Sequence, residues 1–241
     1  MAVSINNVHQ KVLALANKEQ RGYITPQEFN MFADLAQKEI FEQYFYDKSQ
    51  YMRINSNEGE YSDIIHNLNE KIAVFESISD TTPTATYFLN INAAATNGDM
   101  WRLGTVFIEG LENNIELEEV QQKEVMKMNR SNLIKPTNKR PVYVRTKVDE
   151  IACYPIDIVS SNIKCTYIRK PKKPQWGYVV INNRAMYDGD SSVTTNFELH
   201  LSEENELVYK ILKFAGLSIK RDDLSRGGQG LESLQVQQEK Q

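Results

Sequence analysis

The segment from Phe197 to Ile219 constrains the fold most strongly, because its residues specify a strand, the start of a helix and the end of that helix. Residues 196–200 predict a short strand, and Ser202 is expected to cap the helix that follows. That helix is predicted over 203–215, with Gly216 ending it in a left-handed conformation. Its apolar residues recur at steps of three and four and form one stripe, which must pack against another part of the protein. These residues are Leu207, Val208, Ile211, Leu212 and Ala215.

Helical periodicity also dominates the first 80 residues. Three helices are predicted, from Ser4 to about Asn17, from Pro26 to about Tyr46, and from Tyr61 to Phe75. The second helix starts with the pattern of a capping box, in which Thr25 and Glu28 satisfy free amides of the first turn. Its apolar stripe is wide and aromatic, which is typical of a helix bundle or of a subunit boundary. The stripe contains Phe29, Phe32, Ala33, Ala36, Ile40, Phe41, Tyr44 and Phe45.

Residues 17–28 have some of the spacing of a calcium-binding EF-hand loop. Gly22 and Glu28 fall where that loop has its glycine and its bidentate carboxylate. The fifth position, however, is Arg21, which carries a fixed positive charge and no ligand oxygen. Helix capping explains more of these residues, so no calcium site is expected, and a calcium-linked or small-molecule enzyme is the weakest alternative.

From residue 84 onward the pattern favours strands. A helical segment is predicted over 117–129, a connector over 135–140, and a turn at 97–99. The predicted strands are 86–92, 100–108, 142–145, 150–159, 164–169 and 176–181. The predicted fold class is therefore α+β, with an N-terminal helical bundle, a central antiparallel β region, a C-terminal strand and helix, and an extended tail.

The predicted organisation has three parts. Residues 1–80 form a helical region, residues 81–219 form a mixed β/α core that closes with the helix at 203–215, and residues 221–241 form a flexible C-terminal extension. The extension is rich in glutamine and glycine, so it cannot bury enough surface alone to offset the entropy of ordering. It is either a disordered end or a segment that folds on a partner. Its apolar residues are Leu224, Leu231, Leu234 and Val236.

Charge is unevenly distributed along the chain. Residues 127–184 contain 13 Lys or Arg against three acidic residues, whereas the whole chain has a net charge of −4. Within this basic segment, Pro171 and Pro174 are expected to keep an extended loop in water. Such a loop is usually a solvated face, but neighbouring aromatic residues add contact area, so a phosphate or an acidic partner is an alternative. The exposed cations would be Arg169, Lys170, Lys172 and Lys173.

No pattern in the sequence indicates catalysis. His9, His66 and His200 are isolated from one another, and the common metalloprotease, hydrolase and nucleotide-binding motifs do not occur. Cys153 and Cys165 lack metal or redox spacing and are expected to be reduced thiols in strands. No apolar run is long enough to span a bilayer, and no secretory signal is recognised, so synthesis in the cytosol is expected. We therefore predict no enzyme, cofactor or metal.

Three stretches together resemble structural proteins of tailed bacteriophages, particularly those of crAss-like phages. They are GYITPQEFNMFADLAQKEIFEQYFYD at 22–47, YIRKPKKPQWGYVVIN at 167–182, and NFELHLSEENELVYKILKFAGLSI at 196–219. Their order and spacing cover nearly the whole chain. The resemblance is to the neck rings of short-tailed virions, and in particular to the tail adaptor that lies beneath the portal.

This resemblance implies a virion protein, made in the host cytoplasm, that joins a ring of twelve identical subunits. Its expected partners are the portal, neighbouring neck or tail proteins, and genomic DNA through weak non-specific contact, with no membrane. Two other functions are kept as alternatives. They are a nucleic-acid-binding module built on residues 127–184, and another neck or tail ring of the same particle.

Three groups of residues are the expected contacts of such an adaptor. The ring interface would use Phe29, Phe32, Phe41, Tyr44, Phe45, Leu207, Ile211 and Phe214. The portal contact would use Leu224, Leu231, Leu234 and Val236 in the C-terminal extension. The DNA channel or an acidic partner would be contacted by Arg169, Lys170, Lys172 and Lys173.

Overall fold

The protein divides into two compact units in a computed structural model. The first unit contains residues 1–74 and 171–241, and the second contains residues 75–170. The residues described are 3–17, 24–53, 59–85, 88–91, 99–110, 114–147, 149–160, 162–182 and 184–218, together with 229, 230, 233, 234 and 237.

The described residues form five α-helices and ten strands. The helices are α1 Ile5–Asn17, α2 Pro26–Arg53, α3 Gly59–Ala73, α4 Gln122–Met128 and α5 Glu204–Ser218. The strands are β1 Glu76–Asp80, β2 Thr82–Ala85, β3 Phe88–Asn90, β4 Met100–Ile108, β5 Ile115–Glu119, β6 Val142–Arg145, β7 Glu150–Tyr154, β8 Ile163–Arg169, β9 Tyr178–Ile181 and β10 Arg184–Tyr187. The predicted α+β class is confirmed.

The starts of the first two helices are fixed in different ways. At α2 the predicted capping box is confirmed, since the amide of Thr25 donates to Glu28 Oε2 over 2.9 Å and the amide of Glu28 donates to Thr25 Oγ1 over 3.3 Å. At α1 the amide of Ile5 instead donates to Asn196 Oδ1 over 3.1 Å. A residue far along the sequence therefore caps α1, and sequence analysis did not identify it.

Helix α5 differs from its prediction at both ends. It follows a 3₁₀ turn at Leu201–Glu203, and His200 Nδ1 accepts the amide of Ser202 over 3.3 Å, so His200 is the capping residue. The helix also continues through Gly216 to Ser218. Gly216 is buried. Because packing supplies most of the stability of a protein helix, a buried glycine near its end need not terminate it.

The apolar stripes of α2 and α5 cover each other in the first unit, where α5 packs against α1 and α2. This corrects the predicted ring interface, because six of its eight residues are buried in the folded chain: Phe29, Phe32, Phe41, Tyr44, Leu207 and Ile211. Phe45 and Phe214 are half-buried. The same packing corrects the predicted division of the chain, since α5 belongs with the N-terminal helices and not with the strands.

The second unit is built on an eight-stranded sheet with the order β1-β8-β4-β5-β6-β7-β3-β2. All neighbouring strands are antiparallel except β5 and β6, which run parallel, so the sheet is mixed and not purely antiparallel. Strands β1 and β2 form its two edges. Cys153 and Cys165 are buried in its core as free thiols, as predicted, and burial raises their pKa values to about 12 and about 11.

Several predicted elements of this unit have different bounds. Residues 117–119 belong to β5 and not to a helix, because Leu117 pairs with Val106 and enters the sheet core. The strand predicted over 150–159 stops at Tyr154, before Pro155. Strands β1 and β2 of this unit were not predicted, and neither was β10 of the first unit. The turn predicted at 97–99 lies mostly outside the described residues, of which it includes only Asp99.

Candidate partner-binding surface

The side-chain amides of Gln37 and Asn30 bind the proline-containing segment 171–176 to α2. Gln37 is fully buried, and its Nε2 donates to the carbonyl of Lys172 over 2.7 Å, while its Oε1 accepts the amide of Glu198 over 3.1 Å. Asn30 lies about two helical turns earlier and binds both backbone groups of Trp176. These amides satisfy backbone groups that would otherwise need a neighbouring strand. The segment is therefore held in place and is not a free loop.

Trp176 is the anchor at the end of this segment. Its ring is buried and lies 4.0 Å from the ring of His9 in a stacked arrangement, and its Nε1 donates to Asn6 Oδ1 over 3.3 Å. The rings of Tyr178 and Tyr187 stack on the same tryptophan at 5.8 and 5.9 Å. Burial lowers the pKa of His9 to about 4, so its imidazole is neutral near pH 7. The stack thus joins α1 to the base of the β9–β10 hairpin.

Hydrogen bonds also fix the base of this hairpin. The amide of Gly177 donates to Thr194 Oγ1 over 3.1 Å, and the amide of Asp188 donates to the carbonyl of Gly177 over 3.0 Å. A Cβ atom at Gly177 would lie only 2.5 Å from Thr194 Oγ1, so the close approach requires glycine. At the turn, Asn182 adopts φ 50°, a conformation that asparagine tolerates better than most residues.

The hairpin exposes large apolar side chains on both of its faces. Val179, Val180 and Ile181 are consecutive, and successive residues of a strand point to opposite faces. All three are about half exposed or more, at 49%, 62% and 51%. On the other strand Met186 and Tyr187 are exposed by 54% and 42%. Among the described residues, β9 and β10 pair only with each other. A contiguous exposed patch of this kind indicates a site for a partner.

The predicted basic site is divided between the two units. Lys172 and Lys173 are exposed in the first unit, where the amide of Lys172 also donates to a carboxylate oxygen of Glu198 over 2.8 Å. Arg169 and Lys170 belong to the second unit, where the Arg169 guanidinium lies 5.6 Å from the ring centre of Phe75. The predicted exposure is confirmed for Lys170, Lys172 and Lys173, whereas Arg169 is half-buried. The loop itself does not extend freely into water, because its backbone is bonded to Gln37 and Glu198.

Only a small part of the predicted portal contact can be placed. Leu234 is helical and 57% exposed. Gln229, Gly230, Ser233 and Gln237 are also helical and exposed. Leu224, Leu231 and Val236 lie outside the described residues.

A second exposed surface, which sequence analysis included only within its wider basic segment, lies at residues 127–140. Leu133 is 91% exposed and Ile134 is 50% exposed, and five exposed cations surround them in the sequence. Within the part of the chain that is described, none of the five forms an ion pair. They are Lys127, Arg130, Lys135, Lys139 and Arg140. Such a surface attracts polyanions or acidic proteins.

A cavity of about 380 Å³ lies between α2, α3 and the turn before α5. Asp47, Glu70, Lys71 and His200 line it with apolar side chains between them, and Lys71 also forms an ion pair with the buried carboxylate of Glu203. The described residues contain no group of three His, Cys, Asp or Glu side chains placed to hold a metal ion. Because Lys71 pairs with Glu203, this wall of the cavity belongs to the packing between α3 and the turn before α5.

Comparisons with known proteins add no assignment. No protein-family model matches this chain, and no curated protein matches its sequence. Of the helices in the described ranges, none combines the length and the apolar character that a membrane span requires.

Proposed function

We propose that this chain is a structural protein of a short-tailed bacteriophage, a ring-forming adaptor that connects the portal to the tail and surrounds the DNA exit channel. The proposal combines the sequence resemblance with the surfaces described above. A subunit of a closed ring must present two different surfaces that meet between neighbouring copies. Another neck or tail ring of the same particle would place the same demands on the chain.

The observation that carries this proposal is the exposed apolar hairpin β9–β10. An isolated two-stranded hairpin is marginally stable in water, yet this one is tied to the unit through Trp176 and Gly177. Exposed apolar strands with open edges promote unwanted association unless a partner covers them. A hairpin that is held firmly and left uncovered is expected in a protein that functions in an assembly.

The test is to find the protein in purified particles. Mass spectrometry of gradient-purified virions should detect it at a copy number comparable to that of the portal protein, and a reconstruction should place it in a ring below the portal. Treatment that removes loosely bound host proteins, such as a high-salt wash, is the control. Absence of the chain from washed particles would overturn the proposal.

The second candidate function is nucleic-acid binding, which the cations at residues 127–140 favour. If these residues contact phosphates, the isolated protein should bind duplex DNA with an affinity that falls steeply as salt rises. Replacing Lys135, Lys139 and Arg140 with glutamine should make the slope of log K against log salt shallower by about 0.9 for each phosphate that the variant no longer neutralises. The matched variant carries glutamine at Lys170, Lys172 and Lys173. Equal slopes for both variants and the wild type would exclude sequence-independent binding through the lysines and the arginine that the two variants replace.

A further inference from the structure

Two strands of this chain have open edges whose charges are complementary, and they suggest how two copies of the chain bind each other. One is β9 in the exposed hairpin, which pairs with β10 and with no other strand in the part of the chain that the structure describes. The other is β1, the edge strand of the eight-stranded sheet, which among the described residues pairs with β8 on one side only. Because an unpaired strand edge offers a row of backbone donors and acceptors, it can pair with a strand from another chain.

Backbone hydrogen bonds identify the residues that face each open edge. In the hairpin the amide of Asp188 donates to Gly177, so Gly177, Val179 and Ile181 turn their backbone groups toward β10. The backbone groups of Tyr178 and Val180 consequently point away from it. Directly after β1, the amide of Thr81 donates to the carbonyl of Ile163. Ser79 and Ser77, at alternate positions before it, therefore also turn their backbone groups toward β8.

Glu76, Ile78 and Asp80 therefore turn their backbone groups to the open side of β1. Ile78 is also 65% exposed, which is unusual for a large apolar residue in a strand of a folded sheet. The other edge of the sheet, β2, contains Pro83, and proline on an edge strand hinders pairing with further chains. Strand β1 contains no proline, so it is the more open of the two edges.

The charges of the two edges are also complementary. Residues 171–187, which lead into and include the hairpin, contain Lys172, Lys173 and Arg184 but no acidic residue. Strand β1 contains Glu76 and Asp80 but no basic residue. Glu76 is exposed, whereas Asp80 lies 3.8 Å from Lys164 of β8. Complementary charge favours the encounter of these two edges over the pairing of two identical ones.

We propose that β9 of one copy adds to the open edge of β1 in a second copy, so that the hairpin extends the neighbour's sheet. Each copy has one hairpin and one β1 edge, so the contact is heterologous and leads to a ring or a filament. This inference rests on the proposed ring and names the strands that build it. A ladder of about four residues is a small contact, so association in solution should be weak and should depend on protein concentration.

Two proline variants test the contact from its two sides. Val180→Pro removes an amide that points away from β10, and Ile78→Pro removes an amide that points away from β8, so neither change breaks a bond of its own sheet. Sedimentation velocity of the wild type over a wide concentration range should show reversible association. Each proline variant should associate about tenfold more weakly or not at all. Val180→Thr and Ile78→Thr keep the backbone amide and the β-branched side chain, so these variants should associate more strongly than the proline variants.

An equimolar mixture of the two proline variants gives the sharpest result. Val180→Pro retains an intact β1 and Ile78→Pro retains an intact hairpin, so together they should form dimers that do not grow further. Circular dichroism and melting curves of each variant establish that it is folded, and if a proline variant fails to fold, Val180→Asp and Ile78→Lys serve in its place. A wild type that is monomeric at every concentration, unchanged association of the variants, or a mixture without dimers would each overturn the inference. None of these results bears on whether the protein is found in washed virions, which is the separate test of the proposed function.

Discussion

Replacing His9 with phenylalanine should remove a defined part of the acid sensitivity of this protein. The imidazole is 6% exposed and stacked on Trp176, and burial lowers its pKa from 6.5 to about 4. The unfolded chain therefore binds a proton between these two pKa values that the folded chain does not bind. By linkage, the contribution of His9 to stability is fully present above about pH 6.5 and is lost as the pH falls toward 4.

The magnitude follows from the two pKa values. Complete titration of both states corresponds to about 3.4 kcal/mol, at 1.36 kcal/mol for each unit of pKa. Near pH 5, where the folded state is still mostly neutral at His9, the loss is about 2 kcal/mol relative to pH 8. Phenylalanine keeps an aromatic ring against Trp176 and Phe29 but cannot take up a proton. From pH 8 to about pH 5, the free energy of unfolding of His9→Phe should therefore fall by about 2 kcal/mol less than that of the wild type.

The measurement is urea unfolding at several values between about pH 5 and pH 8, followed by far-ultraviolet circular dichroism. His66 is exposed on α3, so His66→Gln is the matched control and should follow the wild-type profile. Nuclear magnetic resonance of the wild type should show one histidine that titrates with a midpoint near 4 and disappears in His9→Phe. If His9→Phe and the wild type lose the same free energy of unfolding between these pH values, the argument from the stack is wrong.

Three further substitutions test the packing of the first unit. Lys210 is 1% exposed, and its Nζ lies 3.2 Å from Glu39 Oε1 and 3.6 Å from Glu206 Oε1. Lys210→Ala should therefore lower the free energy of unfolding, measured in urea, by about 3–5 kcal/mol. Adding Glu206→Gln should recover part of that free energy, because it removes a carboxylate left without its cation. Gln37→Leu leaves the carbonyl of Lys172 and the amide of Glu198 without their amide partner and should cost at least about 2 kcal/mol. Gln37→Glu should cost no less, because it places a carboxylate oxygen against the carbonyl of Lys172 at a fully buried position, so a smaller loss for Gln37→Glu would contradict the assigned contact. Thr25→Ala removes the cap of α2 and should lower the free energy of unfolding by about 0.5–2 kcal/mol, while Thr25→Ser should be nearly neutral; an equal loss for both would show that the hydroxyl is not what stabilises the helix start.

The features that sequence analysis predicted correctly are mostly local ones. Thr25 and Glu28 are three residues apart, so the geometry of a helix start alone makes them meet. The cap of α1 could not be predicted in this way, because Asn196 reaches Ile5 only after the chain has folded. In the same way, the periodicity of α2 revealed its apolar stripe but not the element that covers it. That element is α5, and its identity changed the stripe from an expected subunit interface into core.

The strands show the same limit. Strand β9 is β-branched and was predicted, whereas β10 reads Arg-Ala-Met-Tyr and has little strand propensity of its own. It is a strand because it pairs with β9. The exposure of the hairpin could not be predicted from its composition, since apolar strands are usually buried. Only the structure shows that, within the described ranges, β9 and β10 pair with each other alone, and the candidate surface depends on that fact.

The second unit is inserted in the sequence between the two parts of the first. Residues 171–218 supply the cap of α1, the segment fastened along α2, and helix α5, so the first 74 residues leave the ribosome without these elements. During synthesis, α5 is therefore absent until the whole sheet unit has been translated, and until then the aromatic stripe of α2 lacks the helix that covers it. Translation speed and chaperone supply should consequently affect the yield of the first unit more than that of the second.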